Sequence, residues 1–260
     1  MDKTFVKGLA VLELLAHAEN EKGVSEIARE MGLTKSNVHR LLTTLQGLGY
    51  VTQVPRNNAY ELTSKLWELG ARVHSRLDVT KVARGPMSDL ESATGETVHL
   101  SILDGWEVVY VGKLDGTHPI KAYTTIGGRA PAWCVATGKA LLAHSATSRV
   151  DQIAARLARF TERTIVDREA LLAELETIRH EGYAVNQGEW RDGVSGIAAP
   201  VYSADGSVTA AIGISGPSAR FRQKDLKARW PLVVEAAAAV SKAMGYHAEI
   251  PPARPVTHSR

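Results

Sequence analysis

The sequence predicts an α+β chain in two domains, a small helical one that ends in a β-hairpin and a larger one whose strands pair mainly as antiparallel hairpins. Three observations predict it. Two short helical patterns meet at Gly32 within residues 24–49, VSEIAREMGLTKSNVHRLLTTLQGLG. A turn-rich segment, Gln53 to Ala59, follows directly between Tyr50-Val51 and Tyr60-Glu61-Leu62. From Thr97 onward the apolar spacing leaves the helical period for extended runs separated by Asp-Gly and similar turn residues.

The elements of the first domain follow in order. Residues 4–17 predict a helix whose Val6, Leu9, Leu12 and Leu15 form one stripe. Ser25 is the expected N-cap of the next helix, with Ile27, Ala28 and Met31 as its small apolar face. Gly32 supplies the permissive backbone of a tight turn. Thr34 is then the expected N-cap of a second helix in which Val38, Leu41, Leu42, Leu45 and Leu48 must face a core. That register turns Lys35, Ser36, Asn37, His39, Arg40, Thr43 and Thr44 outward together, and no acid interrupts residues 31–60. Pro55, Arg56, Asn57 and Asn58 make the following hairpin a wing with Arg56 at its tip. A helix pair with a polar, acid-free second helix and a wing is an arrangement that presents a helix to the major groove of double-stranded DNA. Thr34, Lys35, Ser36, Asn37, His39, Arg40, Thr44 and Arg56 are the candidate DNA contacts. An ordinary helical hairpin with a solvated face is the competing reading, and the helix-wing order weighs against it.

Thr63 or Ser64 caps a connecting helix over 65–76, whose Leu66, Trp67, Leu69 and Val73 are too apolar for a free linker and call for a packing partner such as a second copy of the chain. A helix over 79–94 stops at Gly95. Strands are expected at 98–103 and 106–111 about an Asp104-Gly105 turn, and at 120–125, where Gly127-Gly128-Arg129-Ala130-Pro131 breaks the third. Helices are expected at 137–144, 148–160 and 168–181, the last capped by Asp167 and stopped by Gly182. Strands at 183–186, 196–202 and 207–215 precede a closing helix over 224–244. The basic, proline-containing residues 251–260 are expected to be a disordered tail. The boundaries are therefore 1–64 for the DNA-binding domain, 65–77 for the connecting helix, 78–250 for the second domain and 251–260 for the tail.

Composition narrows the function. With 260 residues, 44% hydrophobic and 23% charged, the chain has material for two cores, and its net charge of +3 carries no footprint of its own. A single cysteine, Cys134, excludes an internal disulfide and any multi-cysteine zinc site. The start of the chain is amphipathic rather than an export signal and no run is apolar enough to span a membrane, so a cytoplasmic protein is expected. Gly138-Lys139-Ala140 lacks the preceding glycine, Trp133 standing in its place, and the hydroxyl residue of a phosphate loop. Gly213-Ile214-Ser215-Gly216-Pro217 has proline where a nucleophile elbow needs glycine. Histidines 99, 118, 144, 180 and 247 lack metal-ligand spacing. No catalytic constellation, cofactor or metal is expected. The small-residue segments 127–134, 186–199 and 213–215 are instead suited to line a ligand pocket, unless their glycines serve turns and bulges alone.

The chain resembles the IclR family of transcriptional regulators over nearly its whole length. The resemblance is carried by Glu26-Ile27-Ala28, by Gly32-Leu33-Thr34-Lys35-Ser36-Asn37-Val38-His39-Arg40-Leu41-Leu42 and by Gly49-Tyr50-Val51. Gly138-Lys139-Ala140-Leu141-Leu142-Ala143, Gly182-Tyr183-Ala184, Gly193-Val194, Ile197-Ala198-Ala199-Pro200-Val201 and Ile214-Ser215-Gly216-Pro217 complete it. It implies a winged helix-turn-helix joined to a GAF-like domain with a curved antiparallel sheet, acting as a repressor or activator on a palindromic or repeated operator. A homodimer or dimer of dimers and a small organic-acid effector are implied as well. The family's effector positions match Asn186, Val194, Gly196, Gly213 and Ser215, with the loop from Arg129 to Ala136 as the opposite wall. Asn186 stands where Asp is common and Gly196 where Cys is common, so a different polar pattern and more room are expected. Amides of Cys134, Val135, Ala136 and Thr137 are expected to receive a carboxylate, with Arg129 adding a bidentate contact. Tyr123, Trp133 and Trp190 are expected to flank a ring, which favours an aromatic carboxylate over an aliphatic oxo or hydroxy acid. The alternative is an enzyme or ligand-binding protein of small-acid metabolism without DNA binding.

Overall fold

A computed structural model describes residues 3–74, 78–120 and 124–248, with backbone alone for 70–74. The chain divides into two compact units, Met1–Leu77 and Asp78–Arg260. In the first, α1 (Lys3–Ala16), α2 (Val24–Glu30) and α3 (Lys35–Gly47) pack around Val11, Leu15, Ile27, Val38, Leu41, Leu42 and Leu45. Strands β1 (Val51–Gln53) and β2 (Tyr60–Leu62) form the wing, and Lys22 bridges to Tyr60 ahead of α2. Asn58 turns the wing in the left-handed region, at φ 56°, which asparagine tolerates better than most residues. Helix α4 (Ser64–His74) follows.

Several local expectations shift. The stripe of α1 runs through Val11 and Leu15, leaving Val6 and Leu9 exposed. Gly23, not Ser25, precedes α2, and its amide donates to the Glu26 carboxylate at 2.8 Å. Leu48 ends α3 with its side chain 55% exposed, because the helix stops there and the chain turns at Gly49, φ 76°.

The second unit opens with α5 (Val79–Val82) and α6 (Arg84–Thr94), where one helix was expected. Pro86 lacks the N–H that would bond back to Val82, which explains the break. Then come β3 (Thr97–Asp104), β4 (Glu107–Leu114), β5 (Arg129–Pro131), α7 (Ala136–Ala143), α8 (Thr147–Ala154), α9 (Arg168–Glu181), β6 (Ala184–Gln187), β7 (Val194–Tyr202), β8 (Val208–Pro217) and α10 (Gln223–Ala243). The six strands form one curved antiparallel sheet in the order β5-β4-β3-β8-β7-β6. The segment expected to interrupt a third strand is itself β5, and the strand expected at 120–125 lies partly outside the described residues. The tail expected at 251–260 lies outside them entirely. Helix α7 is buried along its whole length between the sheet and α9, around Leu142, Leu171, Leu175 and Ala198.

Candidate nucleic-acid interface and ligand cavity

On α3 the Thr34 hydroxyl accepts from the Asn37 amide at 3.4 Å, capping the helix, and lies 3.2 Å from the Ser36 hydroxyl. Lys35, Ser36, His39, Arg40, Thr43 and Thr44 are exposed, opposite the buried Val38, Leu41, Leu42 and Leu45. Arg40 donates to the Asn37 side-chain oxygen at 3.1 Å, which preorients both groups on one face. The Thr43 and Thr44 hydroxyls donate back to the His39 and Arg40 carbonyls at 2.9 and 3.0 Å. Thr44 therefore presents lone pairs and a methyl group outward rather than a donor. Arg56 remains exposed at the wing but pairs with Glu21, which Asn57 also contacts at 3.1 Å, so any phosphate it met would compete with that carboxylate. The hydrogen bond from Arg56 holds Glu21 below the usual carboxylate range.

In the second unit, a cavity of about 130 Å³ lies between the curved sheet and the start of α7. Seven of the expected effector positions line it: Val135, Ala136, Asn186, Val194, Gly196, Gly213 and Ser215. Two do not. Cys134 is buried behind the wall, where its carbonyl accepts from the Asn186 side-chain nitrogen. Burial, aided by the Glu189 charge, pushes its thiol up to about 12. Arg129 stands apart from the lining: its guanidinium is engaged by Asp104 and, at 3.3 Å, by Glu107, the two carboxylates that the β3–β4 hairpin brings alongside β5. Trp133 belongs to the core rather than the cavity, Tyr123 lies outside the described residues, and Trp190 does line the wall. The room expected at Gly196 is taken up by β8, since an added Cβ would sit 2.7 Å from the Ile214 carbonyl oxygen.

Sequence reasoning missed the groups that give the cavity its polarity. His99 on β3 places Nε2 2.6 Å from the Ser215 hydroxyl and Nδ1 3.3 Å from the Thr124 hydroxyl. Burial, with a smaller push from Lys113, lowers its pKa to about 4, so the ring is neutral near pH 7. Tyr110 tilts against it with ring centroids 5.1 Å apart. The exposed Arg191 also lines the cavity, its guanidinium 4.6 Å from the Trp190 ring centroid. Among the described lining residues no side chain is acidic, and Arg191 is the only permanent cation. An isolated histidine between apolar strand neighbours, Val98-His99-Leu100, was the available signal.

Beneath this wall the buried Lys139 ammonium of α7 donates to Glu174 of α9 at 2.7 Å and to Glu189 at 2.9 Å. Burial alone would push Lys139 down; the Glu189 and Glu174 charges outweigh it and the net direction is up. The pair fixes α7 to the segment that carries Trp190 and Arg191. No group of three or more His, Cys, Asp or Glu able to hold a metal occurs among the described residues. None of their helices is long and apolar enough to cross a membrane.

A helix-turn-helix with a wing, followed by an α+β unit of GAF-like topology, defines the class of DNA-binding transcriptional regulators that carry a second, α+β domain. Comparison with known proteins identifies which. The family model described as the IclR helix-turn-helix domain matches residues 4–55, and that of the bacterial transcriptional regulator IclR C-terminal matches residues 71–242. The HTH-type transcriptional regulator KdgR of Escherichia coli K12 is 38% identical over 244 residues, covering 93% of this chain and 92% of its own. The HTH-type transcriptional repressor AllR of the same strain is 34% identical over 245 residues, with 93% and 90% covered. The crystal structure of an IclR transcriptional regulator from Silicibacter sp. TM1040 superposes with a TM-score of 0.81 at 28% identity, covering 97% of this chain and 99% of the other. The chain belongs to the IclR family of transcriptional regulators.

Proposed function

We propose that this regulator reads its operator with the outward face of α3 and that a small organic acid held in the cavity adjusts operator affinity. The observation that carries the second half is the lining: among the described residues there is no acid, one exposed arginine, Arg191, and the uncapped first turn of α7, at Val135, Ala136 and Thr137, along one wall. The amides at a helix start favour an anion, and Arg191 takes the place that Arg129 was expected to fill. Tyr110 and Trp190 flank the space and support a flat ligand such as an aromatic carboxylate. Among the DNA-facing groups, Lys35, Ser36, Asn37, His39 and Arg40 are the specificity candidates, with Thr34 as cap, Thr44 as acceptor and Arg56 as a phosphate contact exchanged from Glu21. The exposed Val6 and Leu9 of α1 and Trp67 of α4, the last 76% exposed, support the pairing of two chains as a homodimer. Two α3 helices then address half-sites about 34–36 Å apart.

Gel retardation of genomic fragments by the full-length protein tests both halves. A fragment should be bound in preference to random DNA, and a carboxylic acid from a panel should move the binding midpoint. Retention of no fragment would remove the operator reading, and a midpoint indifferent to every acid that binds the protein would remove the effector reading.

A further inference from the structure

The tip of the wing is held by a residue outside it. Glu21 lies in the connection between α1 and α2, next to a residue that pairs with β2 in both directions: the Lys22 amide donates to the Tyr60 carbonyl at 3.1 Å and the Tyr60 amide to the Lys22 carbonyl at 2.9 Å. The backbone at Glu21 is thereby fixed beside the root of the wing. From there its side chain, 15% exposed, reaches the tip, where one carboxylate oxygen accepts both from the Arg56 guanidinium and, at 3.1 Å, from the Asn57 side-chain nitrogen. The Arg56 side chain is 74% exposed. A fixed, largely covered carboxylate therefore holds a guanidinium that otherwise stands in solvent.

The hairpin keeps its shape by other means. The Asn58 amide donates to the Val54 carbonyl at 2.9 Å, the Gln53 side-chain nitrogen to the Asn58 carbonyl at 3.1 Å, and the Ala59 amide to the Asn57 side-chain oxygen at 3.1 Å. These bonds close the turn from within. The neighbouring Lys22 ammonium is committed to Glu30 at 2.9 Å and does not replace Arg56 at Glu21. What Glu21 governs is thus the Arg56 side chain rather than the backbone of the loop.

To a guanidinium, a carboxylate and a phosphate offer the same chemistry, anionic oxygens that accept its planar N–H donors. Arg56 can meet a phosphate fully only by leaving Glu21, and the carboxylate left behind is a negative charge beside a polyanion. Contact of the wing with DNA is then an exchange rather than an addition. The phosphate releases its condensed cation as Arg56 arrives, while the vacated carboxylate draws a cation from solution, so the two nearly cancel in the salt dependence.

Resting on the reading of the wing as a DNA contact, we infer that Glu21 is an internal phosphate mimic that restrains Arg56, lowering affinity for any duplex and hiding one phosphate contact from the salt dependence. Glu21 sets affinity through Arg56, without touching DNA itself. The partner it competes with is backbone phosphate, so its effect is independent of base sequence.

The test is fluorescence anisotropy of the full-length protein with a random-sequence duplex several turns long, titrated over a range of salt concentrations. Glu21→Gln should tighten binding about 3-fold at low salt and steepen the slope of log K against log[salt] by about one. Glu21→Ala, which also removes the acceptor, should give at least the same gain. In the Arg56→Ala background Glu21→Gln should yield less than half of that gain on a logarithmic scale. Binding that is unchanged or weakened by Glu21→Gln would overturn the inference, since Glu21 would then be idle or would be orienting Arg56 toward DNA. A gain of equal size in both backgrounds would overturn it as well, because the carboxylate would then act as a general repulsive charge. Either result leaves the DNA-binding reading standing. If the unaltered protein retains no duplex even at low salt, that reading fails and the inference falls with it.

Discussion

Acidification from pH 7 to pH 5 should destabilise the second unit through His99 in particular. The imidazole is neutral and buried in the fold, with its pKa lowered from the ordinary 6.5 to about 4, first by burial and then by the Lys113 charge, with Asp115 opposing. Its other neighbours, Ser215, Thr124 and Tyr110, carry no charge near neutrality. Because the folded value lies below the unfolded one, the unfolded chain binds the proton first. The contribution of His99 is therefore intact above about pH 6.5, shrinks as pH falls, and is exhausted below about pH 4. With 1.36 kcal/mol per unit, the full loss is about 3 kcal/mol, of which about 2 kcal/mol has gone by pH 5. His144 is shifted in the same direction by burial, so the attribution needs a comparison rather than a single curve. Urea unfolding of the full chain and of His99→Phe, each at pH 7 and pH 5, provides it. The substitution will lower stability at pH 7 by removing two hydrogen bonds, but the further loss on acidification should be about 2 kcal/mol smaller in the variant. Direct NMR titration of the His99 ring in the native protein gives the same answer should the variant not fold. An imidazole that titrates near 6.5, or equal losses in both proteins, would refute the picture of a neutral buried ring.

Three other outcomes are expected. Arg40→Ala should weaken operator binding by about 1–3 kcal/mol if the side chain reads a base, or reduce the salt dependence of binding by about one counterion if it meets phosphate, and salt-titrated gel retardation separates the two. Asp167 caps α9 by accepting from the Ala170 amide at 2.8 Å, so Asp167→Ala should cost about 1 kcal/mol in chemical unfolding with no change in operator affinity. Lys139→Met leaves Glu189 buried without its cation and should cost about 3–5 kcal/mol, part of which Glu189→Gln in the same chain restores, as read by thermal unfolding of the single and double variants.

The sequence was legible where a local period met an asymmetric choice of residues. On α3 the leucines occupy one side and polar residues the other, and no alternative register buries Val38, Leu41, Leu42 and Leu45 together. On α1 the apolar residues spread around the helix, so spacing alone finds Leu15 but does not decide between Val6 and Leu9 on one side of it and Val11 on the other; the packing partners decide for Val11. The cavity divides the same way. Its glycine-rich strands could be read locally, but its polarity depends on which strands are neighbours. His99 meets Ser215 only because β3 pairs with β8, 116 residues later in the chain. Arg129 was lost for the same reason in reverse: the hairpin that positions β5 also delivers Asp104 and Glu107 to neutralise it.

Any influence of the cavity on DNA binding has to arise from unequal affinity for two arrangements of the protein, and α7 is where such a difference would be felt. Its first turn lines the cavity, its Lys139 is fixed to Glu174 on α9 and to Glu189 beside the Trp190–Arg191 wall, and its remaining residues are buried under the sheet. A ligand held between Arg191 and the sheet would load the sheet and the wall segment together, and Lys139 would carry that load into α7 and α9 without a compressible gap. A 10-fold change in operator affinity needs only about 1.4 kcal/mol of coupling, comparable with one well-made hydrogen bond. Lys139→Arg keeps the charge but adds bulk in a space with no exposed side to take it, so it should alter how strongly a bound acid changes operator affinity while the acid still binds. Coupling that survived this substitution unchanged would show that the load leaves the cavity by way of the sheet alone.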